Sequence, residues 1–156
     1  MKIIRIIASA ALSASLVFLC SCGGEDCTIT VRNITGSEIS EVNIYPEDMY
    51  DESRNYLEEN LPSDSEISVN LENYTKEETA KGYSLLVVNA EDNSEADFSM
   101  LKFSDGDKIT FYLDDWGLAV GVNMTDEEIQ EQKAKDHQDF LEYIEELEDE
   151  TTEITE

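Results

Sequence analysis

One histidine and 37 acidic residues in a chain of 156 set the terms for any chemistry. A histidine-based hydrolase needs a nucleophile, a base and a group that orients the base. His137 stands beside Asp136 and two places before Asp139, on the acidic C-terminal stretch, and a histidine-based triad is not expected there. With Cys20 and Cys22 in the N-terminal segment, one histidine and one spare cysteine, Cys27, do not make a zinc site. Glycosidase-type chemistry requires two acids at a fixed separation in a cleft. Acids are spread along this chain and no pair is singled out by an apolar setting. No catalytic residue is expected, and the chain reads as non-enzymatic.

Hard-cation binding suits the acids better. In Asn89-Ala90-Glu91-Asp92-Asn93-Ser94-Glu95, oxygen ligands recur at alternate positions (Asn89, Glu91, Asn93), as calcium requires. The run lacks the sixth-place glycine and distal glutamate of an EF-hand loop. Asp105 with Asp107, and Asp114 with Asp115, occupy other turns and are expected to share one end of the fold with this run. The same residue types are also ordinary turn formers. Calcium is the only candidate cofactor.

The elements that must carry these side chains follow from periodicity. Ile29 and Val31, Ile67 to Leu71, Ile109 to Leu113, and Leu118 to Val122 alternate apolar with polar or small residues, the pattern of half-buried strands. Tyr83 to Val88 is apolar on both faces and predicts a central strand. Glu38 to Tyr45, with imperfect alternation that suggests a bulge, and Ala96 to Phe103 complete seven strands. Turn-forming clusters such as Thr35-Gly36-Ser37 and Asp114-Asp115-Trp116-Gly117 separate them. Seven short strands with no helical pattern between them predict an antiparallel β-sandwich over residues 27–123. The acidic, aromatic stretch from Pro46 to Asn60 reads as a long loop or short helix crossing one edge.

Thr125-Asp126-Glu127-Glu128 is a capping box, with glutamate three residues after a threonine. It opens a helix expected to run to about Asp149. Ile129, Phe140, Ile144 and Leu147 share one face, and Gln132, Lys133 and Asp136 thin the apolar stripe in the first half. The second half is therefore expected to dock. Residues 126–156 hold fourteen acids against Lys133 and Lys135, so residues 124–156 read as an acidic helix with a fraying tail.

Met1-Lys2-Ile3-Ile4-Arg5 is a positive head, and Ile6 to Leu19 is an uncharged apolar or small run. At about 14 residues that run is too short to span a bilayer and suits a signal-peptide core. Leu19-Cys20-Ser21-Cys22 follows. Here the chain resembles bacterial lipoprotein precursors, with an aliphatic residue three before the cysteine and a small one just before it. Cys20 stands where that pattern prefers a small residue. The resemblance implies removal of residues 1–21 and lipid on Cys22, with two or three acyl chains for stable anchoring. Residues 22–26 would be a short tether, and Cys27 the only thiol left for chemistry, read as a buried or edge residue. Loss of residues 1–21, which carry Lys2, Arg5 and no acid, takes the formal charge from −27 to −29. A surface this acidic repels nucleic acid.

Val31-Arg32-Asn33-Ile34-Thr35-Gly36, Ile39 to Pro46, Leu57, Leu61-Pro62-Ser63-Asp64-Ser65-Glu66-Ile67 and Leu85-Leu86-Val87-Val88 resemble, in strand order and turn placement, small β-sandwich domains of bacterial secreted proteins and lipoproteins. The tryptophan-glycine pair and the glycine after the proline turn common in those relatives are missing here. This resemblance implies a fold and an extracytoplasmic setting, and no catalytic residues. The expectation is thus a lipid-anchored binding module of the cell or outer membrane, holding to the membrane through Cys22 and offering the 125–150 helix to a protein partner. The alternative is a calcium- or glycan-binding surface domain, with Tyr45, Tyr50, Tyr56, Tyr74 and Trp116 as the aromatics a glycan would stack on.

Overall fold

The computed structural model describes residues 27–50, 54–71, 74–75 and 77–153. The proposed signal peptide, lipobox and tether, with Cys20 and Cys22, lie outside the described residues, as does the end of the tail from 154 onward. The order is β1 (Cys27–Asn33), β2 (Ile39–Pro46), β3 (Ser65–Leu71), β4 (Tyr83–Asn89), β5 (Glu95–Leu101), β6 (Lys108–Asp114), β7 (Gly117–Val122) and α1 (Asp126–Glu153). The strands form a four-stranded sheet, β3-β1-β6-β7, and a three-stranded sheet, β2-β4-β5. The predicted sandwich of seven strands with a C-terminal helix is what the chain forms. One pair departs from the antiparallel rule, since β1 and β6 run parallel, Val31 beside Ile109 and Asn33 beside Phe111.

Alternation supplies the core. Ile29, Val31, Ile109 and Phe111 from one sheet are fully buried with Val42, Ile44, Leu85 and Val87 from the other. As expected, β4 is the central strand of its sheet, buried on both faces. The bulge foreseen in β2 falls between Ile39 and Glu41. Beyond β5, Phe103 leaves the ladder and stacks on Tyr83 at 4.4 Å.

The stretch from Pro46 to Asn60 closes one side of the sandwich. Residues 55–61 lie along the outer edge of β2, with bridges Asn43 to Asn55 and Ile39 to Leu61. The Asn55 side chain accepts the Val42 N–H at 3.0 Å, satisfying an edge donor that would otherwise invite another strand. Asn33, fully buried, fastens this segment to β1. Its amide donates to the Leu61 and Ser37 carbonyls at 3.0 and 2.8 Å and accepts from Thr35 N–H and Oγ1 at 3.0 and 2.8 Å.

The capping box forms as read: Thr125 N–H and Oγ1 donate to the Glu128 carboxylate at 2.8 and 3.0 Å, and Glu128 N–H donates back at 3.2 Å. These bonds hold the Glu128 carboxyl below its ordinary range. Within the chain, the closest packing of α1 falls in its first half, where the apolar stripe is thinnest. The first half of α1 packs on the sheet, with Ile129 fully buried and Asp136 3% exposed, whereas Leu141 and Ile144 in the second half are 49% and 36% exposed. The cause is connection length. Only Asn123, Met124 and Thr125 separate β7 from α1, so the opening turns must cross the nearest sheet face. That face has room, because the outward residues of β7 are Gly117, Ala119 and Gly121, paired beside Asp114, Tyr112 and Thr110. A Cβ on Gly121 would stand 2.8 Å from the Met124 sulfur. Arg32 on β1 grips Asp126 at the helix start, at 2.5 Å. The helix also continues past the expected Asp149 to Glu153, with no glycine or proline there to stop it.

Candidate functional site

The β2 edge is covered, but the opposite side of the sandwich is open. There the outer edges of β5 and β7 face a groove of about 1580 Å³ flanked by the first half of α1. Its lining takes in every residue from Trp116 to Val122 and from Ser94 to Phe98. Successive strand side chains point to opposite faces, so an unbroken run of lining residues means that the backbone edges themselves border the groove. The floor is apolar: Phe98 and Leu101 of β5 and Leu118, Val120 and Val122 of β7 are only partly buried where they pack against the core.

The two edges differ. β5 carries outward-facing Glu95 and Asp97 and a register shift opposite Tyr83 and Leu85. Near that shift Met100, at φ 55°, is 66% exposed. Charges and bulges of this kind block strand addition. β7 reads Gly-Leu-Ala-Val-Gly-Val and has no charge, proline or bulge. It is an unguarded edge.

The groove is strongly acidic, bordered by seven acidic residues against Lys102 and Lys135, of which Glu95 and Asp97 also border Tyr45 and Tyr50 on the outer face of β5. At its helix end Asp136 is buried and accepts from Gln132 Nε2 at 2.9 Å. Asp114 caps its own hairpin turn, accepting Trp116 and Gly117 N–H at 2.8 and 3.0 Å. Burial, and then the nearby Asp136 and Asp115 charges, push the Asp114 carboxyl above its ordinary range despite those bonds. Between the two acids Tyr112 is 3% exposed, and its phenol is pushed up to about 12, first by burial and then by Asp136 and Asp114. This corner repels anions and suits a cation.

The expected calcium residues do not converge. Asp105 and Asp107 precede β6, while Asp114 and Asp115 follow or end it, which separates them by roughly 20 Å of strand. They sit at opposite ends of the sandwich, against the expectation of a shared one. Each has a local partner: Asp105 accepts Thr28 N–H at 2.8 Å, Asp107 accepts Ser104 N–H at 2.6 Å and the Asn123 amide at 2.7 Å, and Asp115 meets His137 at 2.7 Å. In the β4–β5 turn the Asn89 side chain accepts Glu91 N–H at 2.7 Å, and Asn93 adopts φ 54°. These are the bonds of turn formation. Among the described residues no three His, Cys, Asp or Glu side chains group as metal ligands.

The aromatics expected for a glycan also disperse. Tyr45 and Tyr74 are buried, the latter edge-on to Tyr83, and Tyr56 lies under Arg54 at 4.5 Å. Tyr50, 65% exposed, stands edge-on to Tyr45 at 5.6 Å. Trp116 packs against Phe140 and Tyr143 of α1 at 5.1 and 5.4 Å. With the His137–Asp115 contact, these rings clamp the β6–β7 hairpin tip to the helix. Cys27 is buried as expected and is disulfide-bonded in the full chain. The lone thiol expected of the processed chain presupposes loss of Cys20 and lipid on Cys22, both outside the described residues.

Of the sequence candidates, Asn89, Asp114 and Trp116 line the groove, but sequence reasoning missed its β5 and β7 edges and its helix residues. The available signal was that a single connection, Pro46 to Asn60, is long enough to cover a sheet edge. Comparison with known proteins adds little. No protein-family profile matches the chain, and no curated protein does. Eight solved chains match. One is an NMR structure of a protein from Eubacterium rectale, 11% identical with a TM-score of 0.47, over 65% of this chain and 92% of that one. Similarity at that level carries no inference about what this chain does.

Proposed function

We propose that this chain is a lipid-anchored extracytoplasmic binding module whose ligand face is the groove between β5 and β7. The carrying observation is the asymmetry of the sandwich. Residues 55–61 seal the β2 side, while the other side presents an apolar floor and unpaired strand edges. Exposed apolar surface of this kind costs solubility and marks binding sites. Anchoring rests on the charged head, the short apolar run and Leu19-Cys20-Ser21-Cys22.

Two measurements test the two halves. In a bacterial host, labelled palmitate should enter the chain and be lost with Cys22→Ala, which should also release it from membranes. Processing also removes Cys20 and occupies the Cys22 sulfur as a thioether, so the mature form should show one alkylatable thiol, Cys27, after denaturation. Unlabelled protein with no such thiol overturns the anchor. For binding, crosslinked capture from native membranes should depend on salt and on the groove acids. Capture indifferent to Asp97→Lys with Glu131→Lys overturns the groove as the ligand face.

A further inference from the structure

Resting on that binding role, we propose that the β7 edge accepts an extended, basic segment of a partner protein as an added strand of the β3-β1-β6-β7 sheet. Three observations combine. The β7 edge is the terminal strand of its sheet, and its backbone borders the groove along its whole length. Edges in soluble proteins are ordinarily guarded by charge, proline or a bulge, and the neighbouring β5 edge is guarded by Glu95 and Asp97 whereas β7 is bare. An added strand would direct alternate side chains inward onto Leu118 and Val120 and outward beneath α1.

The charge of the site selects the occupant. Seven acidic residues and two lysines border the groove, and the chain as a whole carries −27. A second copy pairing edge to edge would bring two such acidic grooves together, which like-charge repulsion opposes. A segment alternating apolar residues with lysine or arginine meets the floor with the first and the acids with the second. Its outward side chains pass close to the Asp114–Asp136 corner, where a cation would offset the burial, and then the like charge of Asp136, that raise the Asp114 carboxyl.

The probe is an acetylated, amidated heptapeptide alternating lysine and valine, added to the full chain in detergent. Trp116 is the single tryptophan and lines the groove, so its emission reports occupancy, and amide shifts locate the strand. Saturable binding is expected, with shifts concentrated at Gly117 to Val122 and affinity that falls with salt. A glutamate–valine counterpart, and a version N-methylated along one edge, should fail. Asp97→Lys with Glu131→Lys changes exposed groove residues and should weaken binding about tenfold without altering the fold. Equal binding of the acidic or N-methylated peptide, shifts centred on β5, no binding, or a dimer formed through β7 each overturns strand addition. Should the peptide fail while groove-dependent capture and Cys22 labelling persist, the binding role stands without this occupant.

Discussion

Truncating Ile129 tests whether the acidic helix is held by its first turns. Ile129 is the single fully buried apolar side chain of α1 among the described residues. Its helical neighbours on the docking face are Gln132, Lys133 and the buried Asp136. Cutting a buried isoleucine to alanine costs about 2–5 kcal/mol through lost transfer energy and the cavity left behind. The other apolar attachment, Trp116 against Phe140, adds only about 0.5–1.5 kcal/mol beyond its area. An isolated helix with Glu142, Glu145 and Glu146 at repelling spacings has little stability of its own. Ile129→Ala should therefore undock and melt α1 while leaving the sandwich folded. A loss of about 3 kcal/mol raises the undocked population by roughly two orders of magnitude. Hydrogen exchange should show α1 amides accelerating by that factor while β1 and β4 amides keep their protection, and Trp116 emission should shift to the red as its two aromatic neighbours leave. Unchanged α1 exchange, or β1 and β4 accelerating equally, would refute the docking argument.

Three further outcomes follow from the same structure. Thr110 is 1% exposed beneath α1, and its hydroxyl has no hydrogen-bond partner among the described residues. Thr110→Val should thus stabilise the chain by about 1 kcal/mol in urea unfolding. Asn33→Ala removes a fully buried amide with four hydrogen bonds and should cost about 3 kcal/mol at unchanged m-value. The Asp114 carboxyl is raised chiefly by burial, so its ionisation opposes folding. That penalty is absent below the ordinary aspartate range and complete once pH passes the raised folded value. Asp114→Asn, able to keep both turn hydrogen bonds, should raise Tm at pH 7, and its advantage should vanish as pH falls through the carboxylate range.

Much of the fold was legible because its determinants are local. Period-two alternation placed four of the seven strands, the uniformly apolar Tyr83–Val88 run identified the central one, turn clusters bounded the rest, and Thr125 with Glu128 fixed the helix start. Turn chemistry was legible as well, and the oxygens of Asn89, Asp107 and Asp114 now serve those turns. Treating the same oxygens as converging ligands failed, because Asp105 with Asp107 and Asp114 with Asp115 bracket the single strand β6, whose length alone puts the two pairs at opposite ends.

The sequence by itself determined which residues face inward, where the elements begin and what charge the surface carries. Each depends on neighbours a few positions apart and on the hydrophobic effect. Tertiary structure alone decided the β1–β6 parallel pair, the sealing of β2 by residues 55–61, the opening left beside β7 and the docking of the first half of α1. Alternation states which face of a strand is buried but not which strand lies beside it. Partner choice emerges only when all faces compete for cover. Here the short link after β7 and the small residues on its outer face drew the helix over the sheet, and nothing within the chain's described residues was left to cover the edge.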